Sequence, residues 1–204
     1  MVFIDNLAYS LFTISLSGFL LLYTTISIFL SYRRNEKDFI SHLKGASIPL
    51  GILGAYILIT GLWGQFTWPL PGSYNILFYD PFVSFGIVLL SFSFVIRFEG
   101  RIDYAGFFGM MVGILAIIYG VEGYGLGLTQ EPIALLGMYF LYGIAGILSY
   151  PVSLILHRRP GSKKNFWKGW VVFLGLFLVS LFMASLLAGV IGSAAISSHL
   201  FSPP

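Results

Sequence analysis

Apolar residues gather in six long runs, at 7–31, 46–66, 81–96, 104–121, 132–156 and 169–193, with short polar segments between them. A helix needs about 20 predominantly apolar residues to cross the hydrocarbon core of a bilayer. The third run is the shortest and can draw on Tyr79 and Phe98 at its ends. Nowhere does the chain show the period-two alternation of a transmembrane barrel strand. The pattern predicts an all-α polytopic membrane protein, residues 1–204 forming one domain of six transmembrane helices. The first run is expected to be retained as a span. Asp5 stands where a secretory signal carries basic residues, and the run is far longer than a signal's apolar core.

Composition narrows the class further. Charged residues make up 9% of the chain and apolar ones 57%, against about 25% charged in a soluble domain. That excludes a soluble enzyme, a disordered tail and a disulfide-stapled secreted domain. With no cysteine, thiol catalysis and cysteine-ligated metals are excluded as well.

The charges sort by side. Arg33, Arg34, Lys37 and Lys44 lie between the first two runs, Arg97 and Arg101 between the third and fourth, and Arg158, Arg159, Lys163, Lys164 and Lys168 between the fifth and sixth. These are all eleven Lys and Arg residues, and loops rich in them stay in the cytoplasm. Both termini are therefore expected outside the cell membrane. Glu36, Asp38, Glu99 and Asp103 share the basic side, whereas Asp5, Asp80, Glu122 and Glu131 face outward with no cation beside them. Topology accounts for every cation, so no nucleic-acid partner is expected. The expected partners are the bilayer, anionic lipid headgroups at the basic loops, and other membrane subunits or a second copy of the chain.

The segment 67–79 between the second and third runs carries no charge and many large apolar groups. It is expected either to lie in the headgroup layer, in an aromatic belt of Trp63, Trp68, Tyr74 and Tyr79, or to act as a lid formed by Trp68, Pro69, Pro71, Tyr74 and Asn75. Gly54, Gly61 and Gly64 in the second run recur in the fourth as Gly113, Gly120 and Gly123, and Asp80-Pro81…Gly86 recurs as Glu131-Pro132…Gly137. These spacings admit a parallel duplication of a two-helix hairpin, runs two and three matching four and five. Ser180, Ala184, Ala188 and Gly192 form a small-residue row in the sixth run, suited to close helix packing. Pro49 and Pro151 are expected to kink their helices.

Candidate chemistry is sparse. The runs contain hydroxyls but no histidine, so bis-histidine haem ligation has no basis. Neither Gly-x-Ser-x-Gly nor His-Glu-x-x-His occurs. No cofactor and no catalytic residue is expected. The candidate site is the acidic outer face: Asp80, Glu122 and Glu131 with Gln65, and with Asp5 and His199 nearby at the termini. Uncompensated carboxylates attract cations and suit a hard metal ion. The plainer reading makes Asp80 and Glu131 helix-starting residues ahead of Pro81 and Pro132. Glu122 has no such role, because it ends a helix whose dipole disfavours an anion.

The run 61–75 (GLWGQFTWPLPGSYN) followed by Tyr79-Asp80-Pro81, the run 127–134 (GLTQEPIA) and the run 149–153 (SYPVS) resemble a family of archaeal and bacterial membrane proteins, domain of unknown function 981. The resemblance covers about residues 5–156. It implies a polytopic membrane protein of archaeal origin and no established activity. Two functional classes remain open. One is transport or channel-like handling of a cation or small polar solute at the acidic face. The other is a non-catalytic subunit of a larger membrane complex, such as a respiratory one.

Overall fold

All six apolar runs are helical in the computed structural model: α1 Asn6–Arg34, α2 Glu36–Thr67, α3 Ser73–Arg97, α4 Ile102–Gly125, α5 Pro132–His157 and α6 Lys168–Phe201. The structure describes residues 6–34, 36–129, 131–157 and 168–201, without the side chains of 32–34, 36–40, 157, 168–170 and 199. Among the described residues every regular element is an α-helix. Each helix contains a stretch long and apolar enough to span a membrane.

The helices outrun the apolar segments that predict them. α2 takes in the polar stretch before residue 46, and α6 continues to Phe201. The largest correction is at α3, which begins at Ser73 and carries Pro81 inside it. Proline normally breaks a helix interior because it has no N–H for the carbonyl four residues earlier. Here that carbonyl belongs to Leu77, and the Tyr139 hydroxyl of α5 donates to it instead. With the orphan acceptor satisfied, the apolar residues Ile76 to Tyr79 continue the helix, and only Trp68 to Gly72 remain as a turn.

That turn is tightly built. Trp68 adopts a left-handed φ of 50°, and its N–H reaches the Gly64 carbonyl (3.1 Å), closing α2. Asn75, 1% exposed, then staples the turn. Its Oδ1 accepts from Leu70 N–H (3.2 Å), and its Nδ2 donates to the Gly64 carbonyl (3.1 Å).

Successive helices pack side by side, and α6 closes on α1, so the six form a ring in chain order. The most extensive packing falls within three pairs, α2–α3, α4–α5 and α6–α1. Each pair uses one device. A serine of the second helix lies against a glycine of the first and donates to a nearby backbone carbonyl of that same helix. Ser93 sits at Gly51 and donates to Ser47 O (2.7 Å). Ser149 sits at Gly109 and donates to Gly106 O (2.9 Å). Ser15 sits at Gly189 and donates to Ser185 O (2.7 Å).

About one turn further along, a second glycine brings the backbones together. A Cβ at Gly54 would lie 2.8 Å from Leu90 N and 3.0 Å from Gly86 O; one at Gly192 would lie 3.0 Å from Phe12 N and 3.1 Å from Ala8 O; one at Gly113 would lie 2.6 Å from Gly143 O. Such contacts let helices associate where lipid offers no hydrophobic drive. The small-residue row of α6 is thereby placed: it packs within the ring, and Ala184 and Ala188 have no exposed surface.

Candidate functional site

The ring encloses an apolar cavity of about 170 Å³, with walls from all six helices. On α3 its walls run from Phe78 to Ile96, about 27 Å at the helical rise of about 1.5 Å per residue. A dry void of about 150 Å³ accepts a benzene-sized guest when it is compact. Drawn out along the bundle axis, such a volume is narrow. The walls include Phe82, Phe85, Met138 and Phe177, and no Asp, Glu, Lys or Arg among the described residues.

Three tyrosines line this cavity near the acidic end. The Tyr139 hydroxyl donates to Leu77 O, and the Tyr142 hydroxyl to Ile14 O (3.3 Å). The Tyr79 hydroxyl is buried and has no hydrogen-bond partner among the described residues. Its ring lies flat on Gly64, where a Cβ would fall 2.1 Å from a ring carbon. Tyr79 is therefore no belt residue at the interface: it is 3% exposed. It also lines a second cavity of about 350 Å³ between α1 and α2, with Asn6, Tyr9, Ser10, Tyr56, Ile59, Thr60 and Trp63.

The expected acidic site is only partly assembled. Asp80 is the eighth residue of α3 rather than its cap, which places it about 10 Å into the helix. Gln65 Nε2 donates to its Oδ1 and the Tyr119 hydroxyl to its Oδ2, both at 2.8 Å. The carboxylate thus ties α2, α3 and α4 together. Tyr119, which the sequence did not single out, completes this clamp. Glu122, in the last turn of α4, and Glu131, just before α5, are exposed. Among the described residues no three His, Asp or Glu side chains gather into a metal-binding group. Asp5 and the side chain of His199 lie outside the described residues.

None of the five expected lid residues lines either cavity. Trp68, Pro69 and Pro71 are exposed, Tyr74 stacks on Phe78 at 6.0 Å, and Asn75 belongs to the turn. At the opposite end, Lys44 meets Glu99 at 2.7 Å and Arg101 meets Asp103 at 2.6 Å. The hydrogen bond and charge of Lys44 hold the Glu99 carboxyl below its ordinary value.

No curated protein and no solved structure matches the chain. A family model does, over residues 1–202, extending the resemblance noted for residues 5–156 through α6: the chain belongs to the family described as protein of unknown function (DUF981).

Proposed function

We propose that this protein accommodates the apolar chain of a membrane molecule along the axis of its helix ring. The observation that carries this reading is the cavity itself, long, narrow and, among the described residues, free of charged groups in its walls. A polar solute or cation would lose its hydration there without compensation, whereas a hydrocarbon chain gains dispersion contacts that an empty void forfeits.

Of the two classes the sequence leaves open, handling of a cation or small polar solute keeps the exposed Glu122 and Glu131 as its support. Asp80, already bonded twice, is a structural clamp, and none of the three carboxylates belongs to the cavity walls. Subunit docking through small-residue faces draws less support, because the α6 row packs against α1.

The test is photolabelling of the protein in bilayers with a sixteen-carbon alkane bearing a chain diazirine. Labelled peptides are expected to include the cavity residues Phe85 and Met138. Ala145→Phe, which projects a ring from the α5 wall into the void, is expected to abolish that labelling while leaving lipid-facing peptides unchanged. Labelling confined to lipid-facing residues in the parent protein would overturn the reading.

A further inference from the structure

We infer that the pocket between α1 and α2 receives the head of the bound molecule, that the head is uncharged and carries a hydrogen-bonding oxygen, and that the Tyr79 hydroxyl is its anchor. This rests on the axial-chain reading and adds the ligand's head chemistry and its point of entry.

Three observations converge. First, Tyr79 is a wall of both cavities, so an amphiphile with its chain on the axis and its head in the lateral pocket passes this side chain. Second, the buried Tyr79 hydroxyl has no partner among the described residues, although the neighbouring cavity tyrosines, 139 and 142, both donate to carbonyls. A buried hydroxyl left unpaired costs free energy that a ligand oxygen recovers. Third, among the described residues the lateral pocket holds amide, hydroxyl and aromatic groups and no ionic side chain. A charged head would be desolvated there without a counter-ion; an alcohol, ester or ketone oxygen is matched.

The position of the pocket supplies the route. It lies between two of the helix pairs, at the junction of α1 and α2, near the acidic end. The corresponding junction of α3 and α4 is tied by Tyr119 and Asp80. Across the α1–α2 junction the tie is Tyr9 to Tyr56, whose rings meet edge to face at 5.9 Å and which share a side-chain hydrogen bond, so a molecule entering there passes between these two side chains. The molecule enters sideways from the leaflet at the acidic end, head at Tyr79 and chain toward the basic end.

The test uses two probes of equal length, a diazirine-bearing sixteen-carbon alcohol and the matching alkane, competed at equal concentration for the full-length protein in bilayers. The alcohol is expected to label the cavity peptides more strongly than the alkane. Tyr79→Phe, which keeps the ring on Gly64, is expected to lower alcohol labelling about fivefold and to leave alkane labelling unchanged. Thr60→Phe, which fills the lateral pocket from α2, is expected to lower alcohol labelling without touching Tyr79. A matching ketone probe distinguishes the oxygen's source: labelling equal to the alcohol assigns Tyr79 the donor role. If both probes label the cavity equally and neither substitution separates them, the head assignment fails while the axial reading stands. If neither probe labels the cavity, the axial reading itself fails.

Discussion

The seams inside the helix pairs and the seams between them are built on different principles. Inside each pair, glycine removes the side chain so that backbones touch, and a serine bonds across to a carbonyl. Between pairs, tyrosines reach across with their hydroxyls: Tyr119 to Asp80, Tyr139 to Leu77 O, Tyr142 to Ile14 O. The first kind of seam is dry, short-range and intolerant of added atoms. The second spans a gap, and at Tyr79, whose hydroxyl has no partner among the described residues, the gap is a cavity. The pairs hold the closest backbone contacts of the protein; the seams between them border its cavities.

The contrast breaks most visibly at Gly113. A side chain there meets backbone atoms of α5 at 2.6 to 2.9 Å, with no flexible side chain to yield. Gly113→Val is expected to cost about 3 kcal/mol, read as a loss of folded protein in a detergent unfolding titration. Gly192→Ala, whose nearest contacts are at 3.0 and 3.1 Å, is expected to cost clearly less. Tyr139→Phe strands the Leu77 carbonyl at Pro81 and is expected to cost about 2 kcal/mol. Adding Pro81→Ala restores a helical N–H to that carbonyl. The double variant should therefore regain most of the loss, a coupling a double-mutant cycle reads directly.

Smaller effects sharpen the same comparison. Tyr119→Phe removes one bond from a half-buried carboxylate and is expected to cost about 1.5 kcal/mol. The three serines that bond across their pairs, Ser15, Ser93 and Ser149, are each expected to lose about 0.6 kcal/mol on mutation to alanine. Three similar values would mark the pairs as equivalent; one dominant value would break the equivalence. The smallest effect belongs to Lys44 and Glu99 at the basic end, both exposed. Because Glu99 is held below its ordinary value, the pair contributes at neutral pH, and the contribution disappears as pH falls through that lowered value. Lys44→Met is expected to remove this part of the pH dependence, and high salt to mask it.

Six spans and the segregation of Lys and Arg were legible because both follow from hydrophobicity and charge along the chain. The glycine spacings of α2 and α4 were legible too: Gly54, Gly61 and Gly64 face α3, Gly113 and Gly120 face α5, and Gly123 touches both α3 and α5. The proposed match of Asp80-Pro81 with Glu131-Pro132 does not hold in the packing. Gly54 meets Gly86, whereas Gly113, its counterpart, meets Gly143, so Asp80 aligns near Gly137 instead. Pro132 opens α5 while Pro81 lies two turns inside α3. The sequence suggested a helix start at Pro81 because the donor that rescues the helix, Tyr139, is remote in the chain. The third pair escaped notice for a similar reason: α6 and α1 come from opposite ends of the sequence. The cavity had no signature at all, since its walls read as ordinary apolar residues and Tyr79 as one more interfacial aromatic.

An experimental density map of the protein in a lipid nanodisc tests most directly whether the ring's axis holds an apolar chain. The account predicts continuous tubular density between Phe82, Met138 and Phe177, ending beside the Tyr79 hydroxyl. A collapsed axis, or discrete water and ion peaks along it, would contradict the account.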